Sequence, residues 1–345
     1  MGDIFMKENF WIDELDNIKP DASYSQLLSN LTKNELNDIR KMWDFHGISQ
    51  LNKAELIEEL IKRIADNLES WIQHLGSEQT EFLKEIISQC ERYSGAYIEV
   101  NEFTFYIAEY FEARGVVFLG QYQETALFLI PEELRTKIKA ILNKKSIKTQ
   151  IRLNDSYIKY AVGSAVYYGV LSPDLLYSSL ERYLTLEWRI DPLDVVLEYG
   201  EFSVLAYSAG PFFISGAVED APDILIKRET RSDLDYYIPS KKEVENAYQK
   251  GHPSWNLAQR RFKKKLTSDY KLPSQEAEKL LFGFYLMINN NISTAEIIRI
   301  LAEDFEIDIF EGKDELIKLI NDFHNNTKQW ILKGHSPAEV NRAGA

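Results

Sequence analysis

Along most of the 345-residue chain, apolar residues recur three and four positions apart, the spacing of one helix face. Leu56, Ile57, Leu60, Ile61 and Ile64 form such a stripe, introduced by Asn52 with Glu55 three residues on. That pair reads as a capping box, in which each side chain satisfies the other residue's backbone N–H. Thr32 and Glu35 make the same pair ahead of Leu36 and Ile39, and Gly47 is expected to end that helix in the left-handed conformation. Ile48 to Leu51 leaves room only for an extended connector. Ser77 opens a helix with Phe82, Leu83, Ile86 and Ile87 on one side, and Asn101 is expected to cap another that ends at Gly115.

The period then changes. Val116–Leu119 and Thr125–Ile130 are short apolar runs around a turn expected at Gly120–Gln123, which predicts a hairpin. Pro131 opens a helix, because proline fits the first turn. Asn143–Asp155 is polar and basic and is the expected linker. Beyond it, Ser172-Pro173, Asp191-Pro192, Ser240 with Glu243, Ser274 with Glu276, and Ser293 with Glu296 mark further helix starts. Residues 209–239, broken by Gly210-Pro211, Gly216, Pro222 and Pro239, predict a packed loop or a short strand pair. The expected fold is mainly α and multidomain. An acidic arm covers 1–23, with Phe10, Trp11 and Leu15 to dock it. A helix–extension–helix module covers 24–67, a unit with a small β-hairpin 68–145, and an α-helical domain 146–345.

The run LTKNELNDIRKMWDFHGISQLNKAELIEELIKRI carries a pattern of its own: Leu31, Glu35-Leu36, Gly47-Ile48, Leu51 and Lys53-Ala54-Glu55-Leu56-Ile57. It resembles the helix–extension–helix module of SAP domains and of the N-terminal domain of Rho termination factor. The resemblance implies nucleic-acid contact through basic residues at the extension and the second helix start. Lys53 matches such a position, with Lys33, Arg40 and Lys41 nearby, although residues 24–67 carry a net charge of −1. The order helix, helix, hairpin, helix over 68–145 resembles a winged helix. Its groove-reading helix would carry Glu102, Glu109 and Glu112, which suits a scaffold or protein-docking element better than a DNA reader. The ending FHNNTKQWILKGHSPAEV resembles uncharacterised bacterial proteins associated with the SEC-C zinc motif, but the motif's cysteines are missing, so no zinc is implied here.

Composition narrows the chemistry. With 45% hydrophobic residues the chain can build a sizeable core. One cysteine, Cys90, rules out an internal disulfide and reads as a small buried filler. The five histidines are never at ligand spacing, and no Walker A, Gly-x-Gly-x-x-Gly, His-Glu-x-x-His or Gly-x-Ser-x-Gly motif occurs. The pairs Asp191/Asp194 and Glu219/Asp220 read as caps and loop solvation. No cofactor, metal or catalytic residue is expected. No run of ~18–20 apolar residues suggests a membrane span, the acidic start does not read as a signal peptide, and a cytoplasmic location is expected.

The net charge of −14 hides two basic islands. Residues 135–152 hold seven basic and no acidic residues, and 227–271 hold twelve against six, which leaves a net −27 for the rest. Such islands bind phosphate backbones through counterion release. The candidate contacts are Lys53, Lys144, Lys145, Lys148 and Arg152, together with Arg260, Arg261, Phe262, Lys263, Lys264 and Lys265. In the second cluster Phe262 either stacks on a base or faces the core with Leu257 and Leu266 while the cations face water. The reading reached is a non-catalytic nucleic-acid-associated protein, with DNA or RNA as partner. The alternative is an adaptor or inhibitor whose acidic surface engages a basic protein partner.

Overall fold

A computed structural model describes residues 15–93, 95–96, 102–186, 189–304 and 313–343. Phe10 and Trp11 of the arm, and the cap expected at Asn101, lie outside them. The protein is mainly α-helical, with two small antiparallel sheets of two and three strands among the described residues. Two compact units form, one within 1–156 and 188–204, the other within 157–187 and 205–345.

In the first unit, α1 (Tyr24–Asn30), α2 (Lys33–Met42) and α3 (Lys53–Ile72) each begin with a reciprocal capping box. Those at Thr32/Glu35 and Asn52/Glu55 are as expected; α1, capped by Ser23 and Gln26, was not foreseen because it is only seven residues long. The end of α2 differs from expectation. The helix stops at Met42, Asp44 takes the left-handed conformation (φ 52°), and Gly47 (φ 80°) lies farther along the connector. The early stop lets the Trp43 indole donate to the Arg114 carbonyl at 2.8 Å and stack on Phe45. The boundary expected at 67 falls inside α3, whose buried stripe continues through Leu68, Trp71 and Ile72.

Helices α4 (Ser77–Tyr93) and α5 (Glu102–Glu112) precede a hairpin of β1 (Phe118–Tyr122) and β2 (Thr125–Leu129), followed by α6 (Glu132–Asn143). The turn is at Gln123–Glu124 rather than Gly120–Gln123, with both residues at positive φ (51° and 62°), as a two-residue hairpin turn requires. Gly120 is instead a strand residue. A Cβ there would sit 2.7 Å from the Asp16 carbonyl oxygen, which accepts from the Gln121 N–H. The linker expected at 143–155 is helix. Residues 145–168 form α7 (Lys145–Tyr168), because Ile147, Ile151 and Asn154 bury one face of this otherwise basic stretch.

A polar cluster closes the first unit. Arg114, 4% exposed, pairs with Glu198 of α9 (Pro192–Tyr199) at 2.9 Å and with Glu201, and lies 3.9 Å from the centre of the Tyr110 ring. Tyr110 donates to Glu198, and the Trp71 indole reaches both Tyr110 (3.0 Å) and Glu198 (3.1 Å). Burial disfavours the Arg114 charge, but Tyr110 and the two carboxylates more than restore it.

In the second unit β3 (Val170–Leu171), β5 (Phe212–Ser215) and β4 (Ala206–Ala209) make an antiparallel sheet in that order, so a strand pair does flank Gly210-Pro211. Within the 209–239 stretch, however, residues 221–229 form a helix that was not expected, with Pro222 in its first turn rather than as a break. Around it lie α8 (Pro173–Tyr183), α10 (Ala221–Glu229) and a short 3-10 turn at Trp330–Leu332. Helices α11 (Lys241–Lys250), α12 (Leu257–Ser268), α13 (Ser274–Asn289), α14 (Thr294–Asp304), α15 (Lys313–Asn326) and α16 (Pro337–Ala343) complete it. Phe262, Leu266, Leu281, Phe284, Ile320 and Phe323 form its larger core cluster. Helices α7 and α11 meet at Gly163, where a Cβ would lie 2.4 Å from the Val244 carbonyl oxygen.

Two outcomes follow from these contacts. Gly163→Ala should destabilise the protein in denaturant unfolding, because the clash outweighs the about 1 kcal/mol alanine gains in a helix interior. Glu112 accepts from the Leu119 N–H at 2.6 Å, and burial, with Glu109 nearby, pushes its carboxyl up to about 7. Between about pH 4.5 and 7 the folded state therefore holds a proton that the unfolded state has released. Stability falls as pH rises through that window, by at most about 3 kcal/mol. Glu112→Gln should flatten this slope and melt higher than the parent at pH 8, in thermal scans across pH.

Candidate functional site

The structure sorts the candidate cations by whether a carboxylate or carbonyl reaches them. Lys53 donates to the Ser29 carbonyl at 2.7 Å, capping the end of α1. Lys144 pairs with Glu69 at 2.6 Å. Lys145, Lys148 and Arg152 are exposed and make no ion pair among the described residues; Lys148 reaches only the Asn143 side chain. They sit at i, i+3 and i+7 on α7 and so share one face.

The second cluster divides in the same way. Phe262 is 0% exposed and packs against Phe284 and Phe323, so its ring is closed to a base. This corrects the stacking expectation and matches the amphipathic alternative: Phe262 and Leu266 face the core, where an aromatic side chain stabilises more than on the surface. Leu257, which that alternative also turned inward, is instead 57% exposed. Lys263 and Lys265 flank the buried face. Lys263 pairs with Glu278, and Lys265 with Asp269 (2.6 Å) and Glu315 (2.7 Å). Arg260, Arg261 and Lys264 remain exposed on the outer face of α12 without an ion pair among the described residues.

The histidines and Cys90 offer no alternative centre. No group of three or more His, Cys, Asp or Glu residues could hold a metal among the described residues. Cys90 is buried, its thiol pushed up by that burial, in line with the filler role. Among the described residues no helix is long and apolar enough to cross a membrane.

A cavity of about 360 Å³ in the second unit was not anticipated. Tyr167, Tyr237 and Tyr285 supply aromatic walls, and the first turn of α12 supplies Leu257, Ala258 and Gln259. Inside, Lys328 donates to both oxygens of Glu339 (2.7 and 2.8 Å) and lies 3.2 Å from the centre of the Tyr237 ring. Burial pulls the Lys328 ammonium below its usual range against the pull of Glu339, while the Lys328 bond holds Glu339 low despite its own burial. Tyr237 donates to Glu243 at 3.1 Å. A lysine of lowered pKa in an aromatic-lined, polar cavity is the arrangement typical of a ligand site. Its residues come from α7, α11, α12, α13, α15, the segments leading into α11 and α12, and the C-terminal segment, so no local spacing announces it. The only readable signal was the Ser336/Glu339 cap pattern within the unusual ending.

The two partners of the internal pair differ in exposure, 16% for the Lys328 side chain against 40% for Glu339, which also keeps the Ser336 N–H, so stranding the lysine should cost more than stranding the carboxylate. Glu339→Gln, which strands the Lys328 ammonium, is expected to lower unfolding free energy at pH 7 by about 1–3 kcal/mol. Lys328→Met should cost less, in the same denaturant titration.

Comparison of the chain with protein-family models, curated proteins and solved structures finds no match in any of the three.

Proposed function

We propose that this is a non-catalytic, nucleic-acid-associated protein that grips the phosphate backbone through cations its own carboxylates leave free. One observation carries the reading. In a chain with 54 acidic and 40 basic residues, Lys145, Lys148 and Arg152 on α7 and Arg260, Arg261 and Lys264 on α12 stay exposed and outside ion pairs with described residues. Each set shares one helix face, so its charges add toward a single ligand. The likeness of residues 24–67 to SAP and Rho N-terminal modules supports the same class of partner. The phosphate contacts, however, are assigned to α7 and α12, because the Lys53 amine is engaged by a carbonyl.

Fluorescence anisotropy with DNA and RNA oligonucleotides over a salt series tests this. Affinity should fall linearly in log–log form with salt, with a slope of roughly −0.7 to −0.9 per phosphate contacted. Charge reversal of Arg260, Arg261 and Lys264, or of Lys145, Lys148 and Arg152, should weaken binding by about tenfold or more and make the slope shallower. No binding at low salt overturns the reading. Recovery of a basic protein released by high salt, with no nucleic-acid binding, places the partner on the acidic surface instead.

A further inference from the structure

The outer face of α12 does not end at its cations. Leu257, Arg260, Arg261 and Lys264 occupy positions i, i+3, i+4 and i+7, one continuous stripe about 10 Å long at 1.5 Å per residue. Its first member, Leu257, is a large apolar side chain left 57% exposed, and it also lines the cavity. The stripe therefore begins at the cavity and leads away from it as unpaired positive charge.

The hydrogen-bonding state of the cavity selects the ligand. Its carboxylates are already committed: Glu339 to Lys328 and the Ser336 N–H, Glu243 to Tyr237 and to the Ser240 N–H and hydroxyl. The unspent groups are donors together with one acceptor, the Asn326 side-chain oxygen, whose amide nitrogen alone is engaged, by the Asp322 carbonyl. The hydroxyl of Tyr167, a side chain only 2% exposed, makes no hydrogen bond with any described residue, and neither do the Ser254 hydroxyl or the Arg342 guanidinium at the cavity edge. A guanidinium and an amide oxygen, with hydroxyls that both donate and accept, favour a ligand that carries acceptors and donors together. A polar cavity beside the half-buried Tyr237 ring, with unspent donors and an acceptor and a cationic stripe leading away, matches the edge of a base with its ring nitrogens, carbonyls and amino groups, followed by phosphates.

We propose that the second unit receives one unstacked nucleotide of a single strand in this cavity, with the adjoining backbone lying along Leu257, Arg260, Arg261 and Lys264. The proposal rests on the nucleic-acid reading above and adds strand selectivity to it. A paired base stays in its stack and is kept out, so a duplex gains only the charge contacts.

The test compares labelled single strands of about twelve nucleotides with the matching duplex, and adds nucleoside monophosphates as competitors. The parent protein should bind the single strand about tenfold or more tightly than the duplex, and a mononucleotide alone should compete weakly, lacking the α12 contacts. Ser254→Trp, which fills the opening from an exposed position, should abolish the preference and leave duplex affinity unchanged. Tyr167→Phe, which removes only the unspent hydroxyl, should lower single-strand affinity by about threefold to tenfold. Circular dichroism checks the fold of both variants, and Tyr167→Phe decides should Ser254→Trp unfold. Equal affinity for single strand and duplex, or single-strand affinity unchanged in a folded variant, overturns the cavity proposal while leaving the charge-based reading intact. Loss of binding to every nucleic acid overturns both.

Discussion

The buried guanidinium of Arg114 is the interaction on which the first unit depends. A charge taken out of water is tolerated only where other groups replace the lost hydration. Here they come from distant sequence: Glu198 and Glu201 lie more than eighty positions along the chain. The cluster therefore joins α9 to the helices carrying Tyr110 and Trp71, and the Trp43 indole just past the end of α2 donates to the Arg114 backbone carbonyl beside it. Removing either carboxylate would leave charge buried, so the pieces that meet at Arg114 hold one another in place.

The second unit meets its buried cations differently, and in Arg228 one guanidinium nitrogen, Nη2, is buried without a hydrogen-bond partner among the described residues. Arg228, 4% exposed, has no ion pair among the described residues; its guanidinium donates to the carbonyls of Trp330 and Val170 at 2.9 Å each. Burial pulls it down to about 10, still charged at neutral pH. It thereby ties α10 to the sheet and to the C-terminal segment around Trp330. Lys328 is neutralised by Glu339 on the short last helix. In both units these interior cations are held by carboxylates or carbonyls, whereas Lys145, Lys148, Arg152, Arg260, Arg261 and Lys264 stay exposed and outside ion pairs with described residues.

Much of the local structure was legible. Caps at Thr32, Asn52, Ser172, Asp191 and Ser240 were readable because a cap needs only residues within one turn of each other. The hairpin was readable in kind but not in place. Glycine suggests a turn, yet Gly120 is required by the Asp16 backbone pressing on the strand, and Gln123 and Glu124 bear the positive φ instead. The expected linker failed for a related reason. Its charge faces water, but Ile147 and Ile151 on the opposite face hold it in a helix. Polar composition over a dozen residues does not separate a linker from one side of an amphipathic helix.

For the candidate site the division is sharper. The chain's own order of residues determined the mainly helical character, most helix starts and the two stretches rich in cations, since propensity, capping and net charge all act over a few neighbours. Only the tertiary structure decided which of those cations are free, because pairing of Lys144 with Glu69 or of Lys265 with Glu315 depends on contacts 50 to 75 residues apart. It also decided that Phe262 belongs to the core, and it assembled the cavity at Lys328 from segments that no local pattern connects. Ion pairing and burial are properties of side chains brought together by packing, and packing is what a one-dimensional reading of charge leaves out.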